Sequence, residues 1–539
     1  MHIPNSPSAP HPKGEPESIA DLTKNQGIKP PSTEVRLPIE TEAGKVFVEF
    51  DQEAPMSAHG QLIYFVQFLK SGELFTDFWQ SAPLSYFSPN APNVVDVLGS
   101  TVLSILCGHS RYAHITSIRF DDVNPPLLGM SQVVSEDSAR RGIKRMVDGE
   151  KEIQRSKQWM SNQLRKTWEP LLYEPWILDI DSSIKPVYGN GEGMDISYNP
   201  QKPGRPCQAY HSYFIAQIRL CLDAELHPGK EHSAKYGLPG MWRLLESLNK
   251  CCWPSLIRGD CAYGSEATII QCEVRGVDFL FKLKQSKNVK RLIKTMEKGQ
   301  RWQGDFYGWE VIESVLKLTG WTRSRRVIIG RRVVDKESKK PGRKHRAKKS
   351  DRQQQEFPIV KEVTTLENYE YVVLVTSLDR DIDGMLQLYR DRADCENCYD
   401  ELKNHWGWSG FTTREIARCE LMARLVVLVY NWWSLYTRLV DDSKHHEAIT
   451  SRPALLGGVV RRIKHSGQTT LKLCLQHANS EQIIANLKAA SQFLTKVNET
   501  AEQLDLTQRW SLILSRIYAK FLGGKLLAQP PPALIKHFC

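Results

Sequence analysis

What the chain lacks narrows it first. No apolar run is long enough to span a bilayer: the most apolar stretch, LMARLVVLVYNWWSLY from Leu421, is short and carries Arg424. The first residues, MHIPNSPSAPHPKGEPES, have no apolar centre of the kind a signal peptide needs. The twelve cysteines fall at irregular spacing and form no disulfide framework. Cys395 and Cys398 make a CxxC with no second pair at ribbon-like spacing, so zinc is not expected. No internal repeat is visible. These absences predict a reduced, soluble, cytoplasmic protein with no membrane association.

What is present is an ordinary globular composition, 41% hydrophobic and 25% charged, over 539 residues. That length exceeds one core and predicts three or four domains. Lys and Arg number 72 against 61 acids, a net charge of +11, and the excess is local. Residues 323–352 hold fourteen cations and three acids. A basic segment in a balanced chain points to a polyanionic partner, nucleic acid first, or to a solvated loop.

Along the chain, residues 1–34 are rich in Pro, Ser and charge and are expected to be disordered. Residues 35–170 read as a helical N-terminal region for DNA binding, in which Ser135 caps a basic helix bearing Arg140, Arg141, Lys144 and Arg145. From 171 to 284 the order is β-β-β-α-β-α-β: EPWILDIDSS, the extended chain around KPVYGNGEGMDISYNP, and HSYFIAQIRLCL as a single third strand. Then come a helix with Pro239 near its first turn, PSLIRGD, a helix stopped by Gly276, and VDFLFKLK. Residues 285–368 read as a mostly β insertion with a basic tip at Arg343–Lys349. YEYVVLVTSL resumes the buried-strand pattern, so the core takes in 369–413 as well. Residues 414–539 read as a helical C-terminal region, with only amphipathic helices over 453–525.

One stretch organises the rest. In LYRDRADCENCYDELKNHWGWSGFTT, Tyr389, Arg392, Glu396 and Lys403 stand at offsets 0, 3, 7 and 14, which places them on one face of a helix. A phenol, a guanidinium, a carboxylate and an ammonium in a row suit a polyanion, with two cations for phosphates and a carboxylate for a metal. The bland reading is a solvated helix in which Arg392 and Glu396 form an i,i+4 pair.

That spacing, YxxRxxxExxxxxxK, resembles the YREK signature of the bacterial insertion-sequence DDE transposases, insertion-sequence family four and its relatives. IRGDCAYG (257–264) resembles their second-aspartate motif, and DIDSS resembles the first, with Ser182-Ser183 where Thr is common. VYGNGEGMDISYNPQKPGRP and CGHSRYAHI look like further segments of the family, so the likeness covers roughly residues 90–435.

The resemblance implies an α/β fold, a ribonuclease-H-like catalytic core interrupted by the β insertion, with helical regions at both ends. It implies that Asp181, Asp260 and Glu396 are the catalytic acids and hold two Mg²⁺ (or Mn²⁺), hard ions suited to carboxylate oxygens. Asp179 lies two residues from Asp181; the Asp-Ser-Ser context favours Asp181, and Asp179 could be a structural carboxylate. Tyr389, Arg392 and Lys403 are implied to bind DNA phosphates. The implied activity is DNA transposition: hydrolysis at the ends of the element and strand transfer into a target, by cut-and-paste. The implied partner is double-stranded DNA, as terminal inverted repeats and target, bound by a homodimer at the nucleoid. A nuclease without strand transfer and a catalytically dead DNA-binding regulator are the alternatives. If a hairpin forms, Trp302, Tyr307, Trp309 and Trp321 are candidates to stack on a flipped base. Lys282, Lys284, Lys202 and Arg205 are further candidate phosphate contacts.

Overall fold

The structure is a computed structural model describing residues 37–48, 54–197, 199, 202–230, 233–298, 301–304, 306–333, 369–499 and 504–527. The expected disordered segment 1–34 and the basic tip at 343–349 lie outside the described residues.

Two units are distinct, 1–54 and 55–539. In the first, β1 (Leu37–Thr41) and β2 (Gly44–Val48) form an antiparallel hairpin, where helix was expected. The second opens with β3 (Met56–Ser57), α1 (Leu62–Ser71), α2 (Leu74–Gln80), α3 (Val94–Leu106), α4 (Glu136–Arg145) and α5 (Glu150–Trp168). Ser135 caps α4 as the sequence predicts, accepting from the Ser138 amide at 3.3 Å. Then follow β4 (Ile177–Pro186), β5 (Asp195–Ile196), β6 (Pro206–Ile215), β7 (Leu220–Pro228), α6 (Ser233–Glu246), β8 (Leu256–Gly259), α7 (Glu266–Arg275) and β9 (Phe279–Lys282). The chain continues through α8 (Lys287–Glu297), β10 (Gln303–Gly304), β11 (Trp309–Leu316), β12 (Arg325–Val333), β13 (Tyr369–Thr376), α9 (Met385–Arg390) and α10 (Ala393–His405). It ends with α11 (Ile416–Val440), α12 (Ala448–Leu455), β14 (Val459–His465), β15 (Gln468–Cys474), α13 (Ser480–Glu499) and α14 (Leu506–Ile517).

The result is a mixed α/β fold around one ten-stranded sheet, ordered β10-β11-β12-β13-β9-β8-β4-β6-β5, with β7 also on β6. β4, β8 and β9 run parallel, and β6 and β7 are antiparallel to their neighbours. Alternation along β4 divides the layers. Asp181 and Ser183 stand opposite Ser212 and Tyr210 and share the face covered by α10 and Trp408. Ile180 stands opposite Tyr213, whose phenol donates to Gly237 O of α6 on the other face, at 2.8 Å.

Several expectations are corrected. HSYFIAQIRLCL is two strands: a short 3₁₀ turn follows β6, and Arg219, in left-handed conformation at φ 52°, precedes β7. α6 begins six residues before Pro239, which therefore sits inside the helix. The stretch after 285 opens with a helix, α8. Strands β11 and β12 extend the same sheet, with β12 pairing β13 and β13 pairing β9. Arg325 of β12 ties this extension to α7, bonding Glu273 at 2.8 Å and also Glu266. The region 453–525 is not purely helical, because β14 and β15 form a hairpin within it.

The apolar helix of the sequence is α11, buried against β7 and α5. Its Arg424 is taken up by Asp223 of β7 in a bidentate pair at 2.9 and 2.7 Å. Among the described residues no helix is long and apolar enough to cross a membrane.

Candidate active site

β4 places Asp179 and Asp181 two residues apart on one face, mid-strand, where the sequence expects them at its end. β8 runs parallel beside it, and Asp260 follows its last residue, with Oδ1 accepting the Ala262 amide at 2.9 Å. α10 lies across that face and brings Glu396.

The supposed single helix is two. α9 ends at Arg390, and Arg392 occupies the position before α10 begins. The row still converges on the acids. Arg392, 6% exposed, donates from Nη1 to Asp181 Oδ2 at 2.8 Å and from Nη2 to Glu396 Oε1 at 3.0 Å. Lys403 donates to Ser183 Oγ, one alternation further along β4. Tyr389 packs over the cluster formed by β8, β9 and β13, with the Arg392 guanidinium 6.0 Å from its ring centre.

Two buried groups had no stated role in the sequence. Arg258 of β8 stands level with Asp179 in the parallel register and grips it bidentately at 2.7 Å through both Nε and Nη2. Its Nη1 donates to the Leu388 carbonyl in α9, so one guanidinium ties strand to helix. Asp179 is fully buried in that pair, which leaves Asp181 as the acid on this strand that meets Arg392. Ser183 is the second, positioned by the alternation that positions Asp181.

Charge is concentrated here at low exposure. Burial, and then the nearby Asp181 charge, push the Asp260 carboxyl up to about 6. Burial also raises Glu396, while Arg392 and Lys282 oppose the shift. Lys282 therefore acts on the acids, as its place at the end of β9 suggests. Burial brings the Lys403 ammonium down to about 8. Burial works against the Arg392 charge as well, but Asp181, Tyr389 and Glu396 hold it protonated.

Carboxylate oxygens are the donor chemistry for hard divalent ions, and the Asp181–Asp260 repulsion is what such an ion relieves. In this arrangement the counter-charge comes from Arg392. Among the described residues no group of three or more His, Cys, Asp or Glu side chains is placed to hold a metal.

The other candidates fall differently. Of the four aromatics, Trp309 and Trp321 are buried, and Trp302 lies under Arg331 at 4.1 Å. Tyr307 is 75% exposed on a left-handed residue, φ 58°, with Arg390 5.4 Å from its ring centre. Lys202 and Arg205 stack on exposed Tyr188, at 4.8 and 5.1 Å. On α4, Asp137 pairs with Arg140 and Arg141, and Arg145 lies over Tyr86.

A comparison with curated protein sequences finds no match. Among solved structures, a cryo-EM structure of the piggyBac transposase synaptic complex with hairpin DNA is similar at a TM-score of 0.38 and 13% identity, covering 84% of this chain and 85% of that one. The family model of the transposase DDE domain matches residues 172–432, a span that includes Asp181, Asp260, Tyr389, Arg392, Glu396 and Lys403. The matched span is a little under half of the chain.

Proposed function

We propose that the protein is a DNA transposase of the YREK-signature insertion-sequence type, cutting the ends of its element and joining them to a target by cut-and-paste. One observation supports this reading: Arg392 bonds both Asp181 of β4 and Glu396 of α10, with Asp260 following the parallel neighbour β8, inside the span matched by the transposase domain. The strand order β7-β6-β4-β8-β9, antiparallel then parallel, supports a ribonuclease-H-like core, with β10 to β13 as the insertion.

In the arrangement described these acids are closed around Arg392 and are not placed to hold a metal; with that guanidinium withdrawn, Asp181, Asp260 and Glu396 would hold two Mg²⁺ (or Mn²⁺), which when bound supply activation of the attacking oxygen and stabilisation of the leaving one. The chain's own part is to orient the DNA end. Lys403 offers a point charge and Arg392 a planar fork to phosphate oxygens, and Tyr389 fixes the approach of Arg392. In the free protein Arg392 is engaged by Asp181 and Glu396, so its fork turns to phosphate only when the acids find another counter-charge. Tyr307, exposed and next to Arg390, is the aromatic best placed to stack on an unpaired base. Two ends must meet for transposition, which supports a homodimer on terminal inverted repeats.

The test is to incubate the protein with element-end duplex, Mg²⁺ and a target plasmid. Cleaved and joined products are expected, and both should disappear in Glu396→Gln. Cleavage without joining would favour a nuclease. End binding without any cleavage in the unmutated protein would favour a regulator with an inactive core.

A further inference from the structure

The hairpin β14–β15 has no counterpart in the sequence reading, and its construction is unusual for a solvated ornament. It is registered from Val459↔Cys474 to His465↔Gln468, and its turn residues Ser466 and Gly467 are both left-handed, at φ 48° and 76°. Such a turn matches the twist of the flanking strands. The base is anchored: Val460 pairs with Ser57 of β3, and the Gly60 amide donates to Gly458 O at 2.8 Å. Only Val460 of the two strands is buried. Val460 and the half-buried Leu471 and Leu473 share one face, so packing accounts for the base of the hairpin but not for the exposed cations along it.

Its charge is one-sided. Between Glu447 and Glu481 the sequence has no carboxylate, in a chain that carries 61 of them over 539 residues. The strands hold Arg461, Arg462, Lys464 and Lys472 with His465. Arg462 is neutralised by Asp122 at 3.1 Å. Arg461 stands directly across from Lys472, a like-charge pair that weakens a ribbon unless an anion offsets it. Arg461, Lys464 and Lys472 are exposed, and no ion pair reaches them among the described residues. Alternation puts Arg461 and Lys472 on one face and Lys464 on the other.

The ribbon is also joined to the helix that carries Glu396 and Lys403. Glu401 of α10 accepts the Ala448 amide at the start of α12, at 2.9 Å, and Arg452 of α12 donates to His405 O at the end of α10. α12 then runs through Gly457-Gly458 into β14.

We propose that the β14–β15 hairpin is a duplex-DNA contact, a cationic ribbon that enters a groove and binds the phosphates on either side without reading base sequence. The width of the major groove admits a two-stranded ribbon, and cations on both faces meet both phosphate walls. The proposal rests on the DNA-acting function proposed above.

The experiment compares the full-length protein with an Arg461→Gln/Lys464→Gln/Lys472→Gln variant on a duplex of arbitrary sequence, over a salt series. Each phosphate contact contributes about 0.9 to the slope of log affinity against log salt, so the variant's slope should be shallower by about 2.7. Its melting temperature should hold or rise, because the Arg461–Lys472 repulsion is gone. The charge-conserving Arg461→Lys/Lys464→Arg/Lys472→Arg variant should keep the original slope. An unchanged slope in the glutamine variant overturns the proposal while leaving the function intact. So does a loss of binding to polyglutamate with duplex binding untouched, which would assign the ribbon to an acidic protein. If the unmutated protein has no affinity for duplex DNA, the proposed function fails first and takes this contact with it.

Discussion

Arg392 and Asp181 form a charge-assisted hydrogen bond of 2.8 Å, with both side chains less than a tenth exposed. The guanidinium thus holds the position of counter-charge in an acidic cluster. Removing it should expose the repulsion between Asp181 and Asp260. We expect Arg392→Ala to lose about 3–5 kcal/mol of stability without divalent ions, the usual cost of breaking a buried pair. Mg²⁺ should then raise its melting temperature more than it raises that of the unmutated protein. Equal shifts in calorimetry would mean that the acids do not gather the ion.

Lys403 supplies a pH dependence with a definite sign. Burial lowers its ammonium from 10.5 to about 8, so the free protein sheds that charge as pH rises through 8. Binding that requires the charged form must then take up a proton, and affinity for an end duplex should fall by up to about tenfold per pH unit. The fold itself gains stability between 8 and 10.5, because there the unfolded chain holds more protons. Lys403→Arg stays charged and should flatten the profile when anisotropy is followed in chelator.

The Arg258–Asp179 pair should behave as architecture. Arg258→Met leaves a buried carboxylate without its partner, at a cost of about 3–5 kcal/mol, and frees the Leu388 carbonyl. Arg258→Met with Asp179→Leu should recover most of that loss. Thermal melts of the two single variants and the double variant decide the point, since simple additivity would rule out a coupled pair.

Gly407 and Gly410, in the loop after α10, sit against residues 109 and 110. Gly407 is left-handed at φ 65°, and a Cβ on Gly410 would lie 2.8 Å from the Ser110 carbonyl carbon and closer still to its oxygen, where Phe411 N already donates to Ser110 O at 2.7 Å. Gly410→Ala should cost on the order of 1–3 kcal/mol through steric strain. A melting temperature equal to that of the parent would show that this joint yields freely.

How much was legible depended on the range of the signal. The Ser135 cap and the Gly276 stop are local patterns, and each appears where the sequence puts it. The break at Asp391-Arg392 leaves little mark, because both residues keep right-handed dihedrals and neither is Gly or Pro. The β6–β7 turn hides in an apolar run, because Arg219 adopts a conformation that usually announces itself as Gly or Asn. α8 lies between strands in a stretch whose alternation reads as β, and its one local helix signal is the Ser286 cap. Pairings such as Arg258 with Asp179 belong to strand register across 79 residues, and no local period carries that information.

The distribution of the three acids along the chain has a consequence for synthesis. Asp181 and Asp260 emerge from the ribosome on adjacent strands, whereas Glu396 follows only after β10 to β13. At about 5–20 residues per second the delay between Asp260 and Glu396 is roughly 7–27 s. During that interval the nascent chain carries the first two acids but not the third, and α11, which buries the sheet, is still later. Until Glu396 has been made, the cluster of Asp181, Asp260 and Glu396 is incomplete, so any activity that needs all three acids waits for it.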